Sequence, residues 1–323
     1  MNERQQHTIE RMNELGAQGK PFTFIIDFDF QKPLLFETDD PASLLWKTPG
    51  SGNYTPEMIH EKPVQWDIHP GLYEKYSEAF TVVQHHIHNG DTYLLNLTMP
   101  TQVVTNLSPE EIFHISCAPY KIWLKNQFVC FSPEIFIQIA DGTISSFPMK
   151  GTIDANLENA RELLLNDEKE IAEHHTIVDL IRNDLSMVAL DVQVNRFMYI
   201  DRISTNRGDL LQMSSKISGQ LPTDYQKSIG SILAKMLPAG SISGAPKPKT
   251  LEIIRKVEQY DRGYYTGIFG VFDGKNLDSC VLIRYLEQDG EKLTFKSGGG
   301  ITFLSDCQTE YNELIQKVYV PIG

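Results

Sequence analysis

The chain has 323 residues, 41% of them apolar, with a formal net charge of -13 and a pI of ≈ 5.1. Its length can bury a substantial core as one large domain or two modest ones. The acidic balance and the lack of a dense Lys/Arg run exclude an electrostatic nucleic-acid or membrane surface, and no run of about 18 apolar residues is present to span a bilayer.

The first residues, MNERQQHTIERMNELG, read as a polar amphipathic helix without the apolar centre of a signal peptide, so a cytoplasmic location is the expectation. A strand-like run over 22–30 follows, then a segment with several Pro and Gly residues up to Pro70. Residues 1–70 are expected to be a short amino-terminal region packed on a main catalytic domain, 71–323. A helix is predicted over 71–88, closed by Asn89-Gly90, with strands over 93–98, 121–125 and 128–131. Residues 135–140 and 143–149 flank Asp141-Gly142, whose capacity for positive φ predicts a two-residue hairpin turn. A long helical region over 156–189 carries Ile171, His175, Val178, Ile181 and Leu185 as one apolar stripe, with Glu173 beside it. A strand over 216–221 leads to helices over 225–236 and 248–260. Strands over 267–272 and 280–288 flank Asp273-Gly274, a strand over 293–296 follows Asp289-Gly290, and a last helix covers 308–319. Hairpins outnumber βαβ units, so the fold class is α+β with mostly antiparallel sheets.

Lys150 stands where the second hairpin strand ends, in Ser146-Phe147-Pro148-Met149-Lys150-Gly151-Thr152. Most lysines are solvated, but a desolvated amine here could attack carbon. Glu173 on the long helix, and Glu310 and Glu313 on the flank of the last one, are carboxylates of the kind that hold Mg²⁺ beside an anionic substrate. Solvated helix-surface glutamates are the plainer reading of each. Ser297-Gly298-Gly299-Gly300 follows a predicted strand; its glycines permit close approach, positive φ and an anion-binding concavity, or form a turn. Arg284 interrupts the apolar run Val281-Leu282-Ile283, and is either edge-exposed or aimed at a carboxylate. The run 237–247 leads into a helix whose free N–H groups could face an anion, or is a tight connector. His85, His86, His88, His174 and His175 lack a zinc motif, and Cys117, Cys130, Cys280 and Cys307 show no CxxC spacing. No GxSxG elbow, P-loop or Rossmann fingerprint is present.

The motifs PMKGT, EHHTIVDLIRND, GSISGAPK, VLIRYLE, SGGGI and EYNEL occur in one order, and in that order the chain resembles the chorismate-utilising enzymes from about Gly71 onward. That family includes anthranilate synthase component I, aminodeoxychorismate synthase component I, and isochorismate and salicylate synthases. The resemblance implies a four-layer α/β/β/α sandwich with mixed, mostly antiparallel sheets. It implies Mg²⁺ held by Glu173 and Glu313, and substrate contacts at Gly151, Thr152, Tyr265, Arg284, Gly298, Gly299 and Gly300. Glu134, in Ser132-Pro133-Glu134, matches the acid that protonates the departing 4-hydroxyl of chorismate.

Lys150 separates members of the family. Anthranilate, isochorismate and salicylate synthases resemble one another in a small residue at this position, whereas aminodeoxychorismate synthases carry Lys. The resemblance therefore implies amination of chorismate to 4-amino-4-deoxychorismate, for para-aminobenzoate and folate synthesis, through a covalent Lys150 intermediate. Ammonia is expected from a separate glutamine amidotransferase subunit. Anthranilate synthase component I is the alternative, and a noncatalytic chorismate-binding subunit a more distant one. Gln212 stands where many members have His, and Leu94 where isochorismate-forming members place a lysine base.

Overall fold

Asp141 and Gly142 both adopt positive φ, 49° and 80°, and join strand Ile135–Ala140 to strand Thr143–Ser146 with Ala140 opposite Thr143. This is the turn the Asp-Gly pair predicts, because its twist matches that of the flanking strands. The structure is a computed structural model that describes residues 1–55, 63–205 and 208–322. Its contacts separate two units, each discontinuous in sequence. Met1–Thr38, Glu134–Ala245 and Arg262–Val281 form the first; Asp39–Pro133, Pro246–Asp261 and Leu282–Gly323 form the second. Residues 1–70 are thus divided between the two.

The first unit holds a sheet in the order Met149–Asp154, Gly208–Gln220, Thr143–Ser146, Ile135–Ala140, Leu277–Val281, Ile268–Phe272, Phe22–Ile26, Leu34–Phe36. Leu190–Thr205 pairs along Gly208–Gln220. In the second unit the order is Leu94–Thr105, Lys292–Ile301, Tyr285–Asp289, Phe128–Ser132, Tyr120–Leu124, Leu44–Lys47, with Trp66–His69 on Leu94–Thr105. The recorded pairings are antiparallel throughout. Both units are therefore α+β with antiparallel sheets.

Several expected elements change. The helical region over 156–189 is two helices, Ala160–Leu165 and Glu168–Ser186, parted where Asp167 accepts from the Glu170 N–H as an N-cap. The strand expected over 280–288 is interrupted after Val281 and resumes at Tyr285, so Leu277–Val281 belongs to one unit and Tyr285–Asp289 to the other. Cys117 is exposed, Cys307 half-buried, and Cys130 and Cys280 are buried; among the described residues none of the four forms a disulfide. Among the described residues no helix is long and apolar enough to cross a membrane.

In the second unit, Val103, Phe113, Trp123, Phe131, Leu286 and Phe295 share one core cluster. Phe295 meets Trp66 edge-on at 6.4 Å between ring centroids. In the first unit, helix Glu3–Ala17 buries Ile9, Met12 and Leu15, and Asn13 Oδ1 accepts from the N–H groups of Gly230 and Ser231 at the start of helix Ile229–Met236. Those bonds satisfy donors that a helix N-terminus leaves open.

Candidate active site

Lys150 lies in strand Met149–Asp154, where a change of register sets its direction. Lys150 is opposite Met213 and Thr152 is opposite Gln212, so Gly151 is an extra residue on its strand. Gly151 has φ +68°, and a Cβ there would lie 2.8 Å from Leu164 Cδ1 and 3.2 Å from Glu170 Oε2. A glycine is required on both counts, and the resulting bulge re-aims the neighbouring side chain. Lys150 Nζ donates to Glu173 Oε2 at 2.9 Å, and Lys169 Nζ is 3.8 Å from the other carboxylate oxygen. The Lys150 side chain is 21% exposed and that of Glu173 only 4%.

Glu173 therefore lies on the buried face of its helix rather than beside it. That face comprises Glu173, His174, Ile177, Val178, Ile181, Asp184 and Leu185, whereas His175, expected inside, is exposed and packs its ring 4.9 Å from that of Phe197. A carboxylate is tolerated in the buried row because an ammonium compensates it. His174 is fully buried, its Nε2 2.6 Å from Ser215 Oγ. Burial, reinforced by the charges of His175 and Lys150, pulls the imidazole down to about 4, so it is neutral at pH 7.

Glu134 precedes strand Ile135–Ala140, and its carbonyl accepts from the Val281 N–H at 3.0 Å. Its carboxylate accepts a hydrogen bond from the Ser241 hydroxyl. Glu134, Ser146, Pro148, Asp184, Gly240 and Ser241 border a cavity of ≈ 20 Å³, about the room one water molecule needs. Thr152 is exposed opposite Gln212. Tyr265 is buried in a turn, its N–H donating to Arg262 O at 3.1 Å.

The remaining expected residues are in the second unit. Arg284 is not a strand residue: it adopts φ 53° in the gap between strands, and its guanidinium donates to Lys317 O at 2.8 Å over the ring of Tyr319. It thereby answers carbonyls at the end of helix Cys307–Gln316, where a cation is favoured. Gly298, Gly299 and Gly300 are within strand Lys292–Ile301, opposite Thr98, Leu97 and Asn96, without the positive φ of a turn. Close approach accounts for Gly298: a Cβ there would be 2.5 Å from Thr98 Cγ2 and 2.6 Å from Leu97 O. Glu310 is buried, whereas the Glu313 side chain is 45% exposed and pairs with Lys317 at 2.7 Å.

Sequence reasoning missed Lys317, whose ammonium pairs with Glu313 and donates to Gly298 O at 2.9 Å while its carbonyl accepts from Arg284. Its i,i+4 spacing from Glu313 was the available signal. Lys169 has the same signal toward Glu173. Ser215 and Ser241 had none, because their partners are far away in sequence.

Among the described residues no three of His, Cys, Asp and Glu converge as a metal cluster. Glu173 and Glu313 fit Mg²⁺ in kind. Both offer hard oxygen, and each already holds a cation in the form of a lysine ammonium.

Residues 8–323 match the chorismate binding enzyme family, and the chain belongs to it. It is a member of an enzyme family that acts on chorismate. An uncharacterised PabA-like protein of Haemophilus influenzae is 53% identical over 98% of this chain and 97% of its own length. Aminodeoxychorismate synthase component 1 of Bacillus subtilis is 30% identical over 77% of this chain and 55% of its own; anthranilate synthase component 1 of Acetivibrio thermocellus is 34% identical over 76% and 51%. The fold matches a crystal structure of a putative 2,3-dihydroxybenzoate-specific isochorismate synthase from Bacillus anthracis, with TM-score 0.74, 18% identity, and coverage of 97% of this chain and 86% of that one.

Proposed function

We propose that the chain is an aminodeoxychorismate synthase that converts chorismate and ammonia to 4-amino-4-deoxychorismate. The observation that carries the reading is Lys150 itself: an amine only 21% exposed, aimed by the Gly151 bulge and held at 2.9 Å by a buried carboxylate. A small residue, as in the anthranilate-forming relatives the sequence resembles, would place no nucleophile there.

In the proposed reaction the Lys150 amine bonds to C2 of chorismate while both conjugated ring double bonds shift and the 4-hydroxyl leaves as water with a proton from Glu134. Ammonia then bonds to C4, both double bonds shift back, the C2–N bond to Lys150 breaks, and the proton that the new amine gives up returns to Glu134. The nitrogen gained by the ring is that of ammonia, and Lys150 is regenerated. The ion pair with Glu173 holds Lys150 as an ammonium, so attack requires the amine to leave that carboxylate and lose a proton. For an ordinary lysine with pKa near 10.4, deprotonation at about pH 7.4 costs roughly 4 kcal/mol. Glu173 and Glu313 would each offer a carboxylate to Mg²⁺, which when bound would supply positive charge for the substrate carboxylate. Ser241, donating to Glu134, orients the proposed acid. Ammonia would come from a glutamine amidotransferase subunit.

Anthranilate synthase component I remains the second reading, because a curated enzyme of that name is 34% identical. Incubating the chain with chorismate, Mg²⁺ and ammonium and weighing the product separates the two. Aminodeoxychorismate retains the enolpyruvyl group, whereas anthranilate has lost pyruvate; formation of anthranilate would overturn the proposal.

A further inference from the structure

Ser215 bonds to a near neighbour of each half of the Lys150–Glu173 pair. Its backbone N–H donates to Pro148 O at 3.0 Å, two residues before Lys150. Its hydroxyl is 2.6 Å from His174 Nε2, on the residue that follows Glu173. The strand that carries Ser215 also runs opposite the Lys150 strand, with Met149 facing Ser214 and Lys150 facing Met213. One serine thus brackets the nucleophile strand and the carboxylate helix, through its main chain on one side and its side chain on the other.

Ser215 Oγ accepts from the Met198 N–H at 3.0 Å, at a residue with φ 48° in an irregular stretch of strand Leu190–Thr205. The hydroxyl can give its hydrogen to His174 Nε2 or accept an Nε2–H on its second lone pair, and in either tautomer it is the bonded partner of that nitrogen. Nδ1 is buried and has no hydrogen-bond partner among the described residues. A fully buried imidazole with one nitrogen unsatisfied has its orientation set by its remaining bond. Ser215 has no comparable freedom, being held from the strand and the bulge together.

We infer that His174 and Ser215 form a positioning pair that sets the separation of Lys150 and Glu173, by locking the helix Glu168–Ser186 to the strand Gly208–Gln220 beside the Lys150 strand. Neither residue is catalytic; each acts through its neighbour. The catalytic consequence rests on the proposed role of Lys150, whereas the placement of the pair does not.

The test therefore has two arms. In metal-free buffer without substrate, trace acetylation of lysines by acetic anhydride, read by peptide mass spectrometry and normalised to exposed Lys292, reports how firmly Lys150 is held. Ser215→Ala and His174→Gln are each expected to raise labelling of Lys150 at least about threefold, and the double variant no further than the larger single effect. Ser215→Thr, which keeps the hydroxyl, should restore the native rate. Thermal melts identify any variant that fails to fold; Ser215→Ala removes one oxygen and decides the matter if His174→Gln does not fold. Unchanged or slower labelling of Lys150 in folded Ser215→Ala overturns the inference. In the second arm, kcat with chorismate and ammonium should fall roughly tenfold in Ser215→Ala with KM for chorismate nearly unchanged, the scale of loss seen when a supporting partner is removed. A labelling change without a kcat change retains the positioning pair and refutes the nucleophilic role of Lys150.

Discussion

Lys150 Nζ donates to Glu173 Oε2 at 2.9 Å, joining a strand bulge to the buried face of a helix 23 residues further along the chain. Lys169, 3.8 Å from the other oxygen of the same carboxylate, gives Glu173 a second cationic neighbour. Lys150 can therefore move off the carboxylate without leaving a buried charge wholly uncompensated, a condition that would otherwise be strongly destabilising.

Lys150→Ala should lower formation of aminodeoxychorismate by at least about a hundredfold, since the proposed covalent step has no other amine at C2. Lys150→Arg should not rescue it, because a guanidinium stays protonated. Steady-state assays with chorismate, Mg²⁺ and ammonium check both variants. Turnover of Lys150→Ala at the native rate would sink the covalent mechanism.

Glu134→Gln keeps the acceptor for Ser241 but cannot give a proton to the leaving hydroxyl. A loss in kcat of about 10²–10⁴ is expected, the range for removal of a general acid. Ser241→Ala, which leaves the carboxylate and removes only its orienting bond, should cost less. A larger loss in Ser241→Ala than in Glu134→Gln would contradict the assignment.

Gly151→Ala should be destabilised by about 1–2 kcal/mol from backbone conformation alone, because its φ of +68° is left-handed. The contact of the new methyl with Leu164 Cδ1 at 2.8 Å adds to this. Urea unfolding measures the loss, and a midpoint equal to that of the unaltered protein would show that the bulge can relax.

Lys121 offers a pH test away from the proposed chemistry. Its ammonium is buried, donates to Phe113 O at 2.8 Å, and faces the Tyr54 and Phe113 rings. Burial, helped by the charge of Lys47, pulls its pKa from 10.5 to about 8. Between pH 8 and 10.5 the unfolded chain binds more protons at this residue than the folded one, so stability rises with pH across that window. Relative to Lys121→Met, the unaltered protein should gain up to about 3 kcal/mol from pH 8 to 10.5. Chemical denaturation at several pH values tests the sign; a flat or falling difference would refute the burial argument.

Legibility in the sequence followed the range of the interactions. The Asp141-Gly142 hairpin was readable because its turn and pairing involve adjacent residues. Strand Leu190–Thr205 was not, since its register against Gly208–Gln220 shifts three times and the period of two that marks a strand is broken. Along helix Glu168–Ser186 the expected stripe holds at Val178, Ile181 and Leu185 but fails at His175, and Glu173, expected beside it, is buried because Lys150, on another element, makes its burial tolerable. Arg284 was read as strand because its neighbours are apolar, although the chain turns there with φ 53°.

By itself the sequence determined the α+β class, the hairpins and the membership of a chorismate-acting family, because these rest on local turn chemistry and on motifs that recur in order. Only the tertiary structure decided that Lys150 is an ion-paired, largely buried amine, that Gly298 to Gly300 are strand rather than turn, and that Ser215 reaches His174. Each of those is set by packing and hydrogen bonding between elements far apart in the chain, where no residue's own neighbours carry the information.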